Sequence, residues 1–315
     1  MAGLRPGMTI GVALYPPESG NTVDVVVGQA RQAAEAGLRT AWFGQRFDYD
    51  AIALAGIVGR EVPGLTVGTS AVPIFPRHPI LISSQAQTSQ AAAHGRFRFG
   101  LALGSRTMTE SVFGVPYERP IARLREFLVA LRSLLETGGA EFTGETLTAR
   151  TSMPAAVPGA DPAPPVLVAA MAPQALRVTG ELADGTLPLL AGPRTLGEHI
   201  VPEITAAAER AGRPAPRVVA FVAGVVTDDV DAAREAAARQ TAFYDRVPSY
   251  RRVIELEGAV KAADLVEIGD EAAIAAAVRR YFDAGATEVV LTQTDLAGDA
   301  GRLRTWKLLG ELAGG

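Results

Sequence analysis

The constraint that most narrows the fold is a strand–helix–strand unit between Gly64 and Arg106, GLTVGTSAVPIFPRHPILISSQAQTSQAAAHGRFRFGLALGSR. Leu65–Ala71 is rich in β-branched residues and predicts a buried strand. Pro73, Pro76 and Pro79 cannot continue a central strand, so the chain is expected to leave the sheet there. Ile80 to Ala93 is Ala-, Gln- and Ser-rich without interior Gly or Pro, which predicts a helix. His94-Gly95 supplies a residue able to take positive φ and end it. Phe97–Leu103 is then a second strand. Strands joined through a helix of this length are parallel.

The same alternation runs through the chain. Strands are expected at Met8–Leu14, Thr40–Gly44, Val166–Ala170, Thr186–Leu190, Arg217–Val226 and Glu288–Leu291. Helices are expected at Val23–Ala36 (capped by Asn21 or Thr22), Ala51–Arg60, Ile121–Leu135, Pro173–Ala183, Thr195–Ala211, Val230–Gln240, Glu271–Ala284 and Arg302–Ala313. Two segments break the pattern. Residues 138–165 read as a hairpin and loop, and 243–266 as two short helices. Eight strands alternating with helices predict an α/β fold, a closed (β/α)8 TIM barrel with those two insertions, as one domain over 1–315. A dinucleotide-binding open sheet is the rival, but no GxGxxG follows the first strand.

Composition closes off several function classes. The net charge of −4 leaves no basic footprint for nucleic acid. With no cysteine there is neither a disulfide nor a thiolate nucleophile, which fits a cytoplasmic chain. The opening MAGLRPGMTIG lacks a signal-peptide core, and no stretch approaches a membrane span. The three histidines, His78, His94 and His199, lie too far apart for a local metal motif, so no metal is expected.

In such a barrel, chemistry belongs at the C-terminal ends of strands and the loops after them. That rule selects Leu14–Pro17, Gln45–Asp50, Ser70–Pro79, Leu103–Thr107, Ala170–Gln174, Leu190–Arg194, Val226–Asp229 and Thr292–Asp295. Several ends carry small residues: Ser70-Ala71, Gly104-Ser105, Ala169-Ala170. Within Phe97–Leu103 the alternation turns the large residues to the helices and Gly100 and Ala102 to the barrel, leaving space for a flat ligand or simply easing layer packing. Met171-Ala172-Pro173 opens a helix whose free N–H groups suit a phosphate. Gln45, Arg46 and Tyr49 are the candidate catalytic residues: Arg46 is a fixed cation or a surface partner of Asp48 or Asp50. Arg106 is a candidate phosphate contact. His78 reads as an acid/base group or, more commonly for such a site, a loop anchor. Asp184-Gly185 reads as a structural turn at the far end. The lack of GxSxG or an acidic metal cluster points to chemistry done by a bound cofactor.

The segments FPRHPILISSQAQTSQAAAHGRFRFGLALGS, WFGQRFDYDAIALAGIVGREVPGLTVGT, PPVLVAAMAPQALRVTGELADGT and VEIGDEAAIAAAVRRYFDAGATEVV resemble the luciferase-like monooxygenase superfamily. They look most like its actinobacterial branch that uses the deazaflavin coenzyme F420. The resemblance implies an oxidoreductase with a barrel fold, acting on a small molecule as a homodimer, with FMN as the alternative coenzyme. It implies a non-prolyl cis peptide at Ser70–Ala71 backing the coenzyme ring. Its phosphate-bearing tail is implied to lie near Leu103, Gly104, Ser105 and Arg106 and near Ala170, Met171 and Ala172. Relatives often carry an Asp-His pair after strand two, where this chain has Gln45-Arg46. Neither residue is a good general acid or base, which leaves Tyr49, water or the substrate to supply a proton.

Overall fold

A computed structural model describes residues 8–16 and 19–314. Pro17 and Glu18, and residues 1–7 of the segment read for a leader, lie outside them. The strands, in chain order, are β1 (Thr9–Ala13), β2 (Thr40–Phe43), β3 (Thr66–Thr69), β4 (Val72–Pro73), β5 (Phe97–Ala102), β6 (Glu141–Thr143), β7 (Thr148–Arg150), β8 (Val166–Val168), β9 (Gly185–Thr186), β10 (Arg217–Val226), β11 (Glu267–Gly269) and β12 (Glu288–Thr292). Eight of them, β1, β2, β3, β5, β8, β9, β10 and β12, close a parallel barrel. Helices stand between them, so the protein is a (β/α)8 TIM barrel. The helices begin where the sequence supplies caps. Asn21 accepts from the Val23 and Asp24 amides, and Asp50 from those of Ile52 and Ala53.

Both insertions are present. The first contains the expected antiparallel hairpin, β6 with β7. The second differs from the expected pair of helices: one helix, Pro248–Glu257, is flanked by 3-10 turns at Tyr244–Arg246 and Ala262–Leu265. Pro248 and Gly258 fix its two ends, leaving too few residues on either side for a second full helix.

The strand expected over Leu65–Ala71 is interrupted. β3 pairs with β5 through Gly68↔Arg98, but β4 resumes at Val72↔Leu101, so Thr69–Ala71 carries one residue more than its partner. This is a β-bulge, and the Thr69 hydroxyl fills the gap. It accepts from the Gly100 amide and donates to the Gly100 carbonyl, both at 2.9 Å. The chain also stays on the sheet through Pro73, where an exit was expected. Alternate residues aim their N–H groups at β5, and Ile74 makes the bond to the Ala102 carbonyl (2.9 Å), so proline's missing N–H costs nothing.

Strand alternation divides the barrel cleanly. Phe97, Phe99 and Leu101 pack outward beneath the helices with Ile10, Val12, Phe43 and Leu291. Inside, Trp42, Leu167, Leu187, Val219, Phe221 and Val290 form a plug, with Trp42 and Phe221 edge-to-face at 5.5 Å. Gly68 makes room for the indole, because a Cβ there would sit 2.5 Å from it. Below the plug is a buried polar floor. Glu288, 2% exposed, accepts from the Thr40 hydroxyl (2.6 Å) and the Trp42 indole N–H (2.8 Å) and is ion-paired to Arg98.

Candidate active site

Above the plug the interior turns small. The inward series of five barrel strands ends at Gly44, Ala71, Ala102, Ala169 and Ala223, and Ala71 and Ala169 lie directly on the plug. The other three end in larger residues, Tyr15 for β1, Leu189 for β9 and Thr292 for β12. Tyr15 continues the inward positions Gly11 and Ala13 of β1, whose ladder is prolonged by the bond from the Leu14 amide to the Trp42 carbonyl. The barrel is therefore filled to mid-height and opens onto a shallow, flat, apolar layer at its C-terminal mouth. The two clefts on the outer rim, of about 680 and 430 Å³, contain none of these inward residues.

The bond between Ser70 and Ala71 is a non-prolyl cis peptide. On one side of the layer Gly104 takes φ +79, and the Ser105 hydroxyl accepts from the Met108 amide. Arg106 is exposed, paired to Glu110 at 2.8 Å and lying 5.1 Å over the Tyr117 ring. Tyr117 in turn stacks on Phe75 at 4.5 Å and donates to the Gly104 carbonyl. Sequence reading passed over Tyr117, although the aromatic–Pro-rich run GVPYERP after the strand was a signal for a loop that packs back. On the other side, Ala170 is buried and Met171 half-buried. Ala172 is the N-cap of the helix Pro173–Leu182 without a capping side chain, so the first amides of that helix face the mouth uncapped.

Gln45, Arg46 and Tyr49 share one loop but do different things. The Gln45 amide donates to the carbonyls of Arg46 (2.6 Å) and Tyr49 (2.7 Å), and its oxygen accepts from the Ala51 amide (3.2 Å) and Arg77 (3.1 Å). Its side chain thus ties the loop together. Arg46 turns outward to Asp48 at 3.1 Å. The Tyr49 hydroxyl is buried with no hydrogen-bond partner, and burial pushes its pKa up to about 12. His78 is a loop anchor: Nδ1 accepts from the Ile80 amide, and Nε2 lies 2.8 Å from the Thr148 carbonyl. Asp184 accepts from the Val166 amide at the opposite end of the barrel and pairs with Arg213. Among the described residues no cluster of His, Asp and Glu could hold a metal.

The mouth is otherwise rich in tyrosine. Tyr244 and Tyr250, 4.7 Å apart edge-to-face, come from the second insertion and pack on Ala223, Leu190 and Ile254. Burial raises the pKa of both. Leu190 and Gln293, at φ 55 and 48, are non-glycine residues in the left-handed region, and both follow strands at the mouth. Such backbone conformations concentrate where a site over-determines them.

The family model for the luciferase-like monooxygenases matches residues 8–300. The chain belongs to the luciferase-like monooxygenase family. It is 32% identical over 207 residues to an uncharacterized protein of Mycobacterium tuberculosis, a match covering 62% of this chain and 61% of that one. The chain thus spans about three fifths of that relative's length. Its fold is that of the coenzyme F420-dependent tetrahydromethanopterin reductase from Methanopyrus kandleri (TM-score 0.80, 21% identity, 97% and 98% of the two chains). It is also that of the FMN-complexed oxygenating constituent of 3,6-diketocamphane monooxygenase from Pseudomonas putida (TM-score 0.77, 14% identity, 97% of each chain). Proteins of this one architecture are thus F420-dependent in one case and complexed with FMN in another. No helix among the described residues is long and apolar enough to cross a membrane.

Proposed function

We propose that this luciferase-like chain binds coenzyme F420 at the barrel mouth and moves a hydride between it and a small organic substrate, in the reductive direction to an activated C=C, C=N or C=O bond. The observation that carries this reading is the layer of Gly44, Ala71, Ala102, Ala169 and Ala223 resting on a fully packed plug. A planar ring needs such a floor, flat, dry below and open above. When bound, the coenzyme supplies the transferable hydride. Everything else falls to the chain's own residues. Ser70 and Ala71 border the ring site on the bulge. Leu103, Gly104, Ser105 and Arg106 on one side, and Ala170, Met171 and Ala172 on the other, receive an anionic tail. The uncapped amides after Ala172 favour negative charge there, and Arg106 can exchange Glu110 for a phosphate. Gln45 holds its loop in shape, Tyr49 brings a free O–H, and Arg46 supplies a permanent cation nearby.

FMN is the competing coenzyme, and direct titration decides between them. Quenching of F420 fluorescence by the purified chain is expected to saturate, with FMN binding at least about tenfold weaker. Tight FMN binding without F420 binding overturns the proposal. Ala102→Leu fills the layer and is expected to abolish coenzyme binding while the thermal transition stays close to that of the parent.

A further inference from the structure

Tyr15 departs from its surroundings in two respects. It rises from a layer that is small nearly everywhere else, and 37% of its surface stays accessible although it continues the inward series of β1. An inward-facing side chain that stays accessible stands at the barrel mouth and not in the core. Its electrostatic neighbours are Tyr244, Tyr49, Asp295 and Tyr250, and its pKa is raised, first by burial and then by these groups. The hydroxyl therefore remains a neutral donor across the working pH range. Among the described residues no cation faces it, and the one charge beside it is the Asp295 carboxylate.

We propose that Tyr15 is the substrate-holding residue of this site, donating its O–H to the oxygen of an uncharged carbonyl compound, and that the Tyr15–Asp295 surroundings exclude carboxylates. Tyr244 and Tyr250 wall the pocket with aromatic edges, so the compound is apolar beyond its oxygen. The assignment rests on the reading of the mouth as the place where a reduced deazaflavin or flavin supplies hydride. In that setting a new C–H bond forms at the carbonyl carbon, the C=O π pair moves to oxygen, and the Tyr15 proton follows it. Water then returns a proton to the phenolate. A phenol is a stronger acid than the alcohol being formed, so the Tyr15 hydroxyl can both stabilise and protonate the developing oxyanion.

The test uses 4-dimethylaminocinnamaldehyde, whose absorption moves to longer wavelength when its carbonyl oxygen accepts a hydrogen bond, and the matching carboxylate, 4-dimethylaminocinnamate. The chain should shift the aldehyde band saturably and bind the carboxylate at least about tenfold more weakly. Tyr15→Phe should lose the shift and bind the aldehyde roughly five- to tenfold more weakly, as for one neutral hydrogen bond. Tyr15→Gln, which restores a donor, should recover part of the shift and serves if the phenylalanine variant is unstable. Absence of a saturable shift in the parent, a shift retained in Tyr15→Phe, or carboxylate binding as tight as aldehyde binding each overturns the assignment. F420 titration of the same samples separates the two readings. A parent that shifts the aldehyde but leaves F420 fluorescence untouched sinks the coenzyme reading and leaves the Tyr15 hydrogen bond standing.

Discussion

Glu288→Gln isolates the buried charge at the barrel floor. The amide is nearly isosteric, and its oxygen can still accept from Thr40 and from the Trp42 indole, which sit at 2.6 and 2.8 Å in the parent. What it loses is the charge opposite Arg98, whose side chain is only 14% exposed. The NH2 group that replaces Oε2 also points donors at a guanidinium that has none to accept them. Removing one partner of a buried pair costs roughly 3–5 kcal/mol, because the other charge stays buried and uncompensated. At about 2–3 °C per kcal/mol for a chain of this size, the melting temperature should fall by about 6–15 °C. Urea unfolding followed by the fluorescence of Trp42 and Trp306 gives the free energy directly. Arg98→Met alone should be similarly costly, and the double variant should recover at least half of the summed loss. A Glu288→Gln chain within about 0.5 kcal/mol of the parent, or a double variant whose loss equals that sum, refutes the argument that the pair is mutually dependent.

Tyr49→Phe removes a buried hydroxyl that has no partner, so urea unfolding should show a gain of about 1 kcal/mol while turnover falls. Because Tyr49 ionises near 12 in the folded chain and near 10 when unfolded, its contribution to stability is complete below pH 10 and is lost as pH rises from 10 through 12. Unfolding measured across that window should show a steeper alkaline decline in the parent than in Tyr49→Phe. His78→Ala removes the cap of the helix Pro79–Ala92 and the tie to the Thr148 carbonyl, and should cost about 1 kcal/mol in denaturation while F420 binding persists. Loss of coenzyme binding in that variant would return His78 to the site.

Much of the fold was legible because it is local. Period-two strands, the helix cap at Asn21, and the terminating His94-Gly95 are written in neighbouring residues, and eight repeats of the pattern leave few architectures. The inward turn of Gly100 and Ala102 was also readable from alternation alone. The bulge at Thr69–Ala71 was not, because an extra residue shows only against the partner strand, some thirty residues on. The floor pairs Thr40, Trp42 and Arg98 with Glu288, groups far apart in sequence that only barrel closure brings together. Its trace in the sequence is slight: an Arg inside FRFGLA and a Glu heading EVVLT. At the mouth, the sequence named the loop holding Gln45, Arg46 and Tyr49 but could not say which side chains turn inward. That depends on Gln45 satisfying three groups of its own loop and Arg77 from another, and on Asp48 drawing Arg46 outward.

Barrel closure also sets a schedule for synthesis. Thr9 of β1 pairs with Glu288 of β12, so one edge of the first strand has no partner until nearly the whole chain has been made. At about 5–20 residues per second, that interval lasts roughly fifteen seconds to a minute. Throughout it, the ribosome carries a growing parallel sheet with an apolar edge, Ile10 and Val12 among it, open to pairing with another chain. Yield in the cell should therefore depend on translation rate and on chaperones that shield strand edges, even for variants whose finished barrels are equally stable.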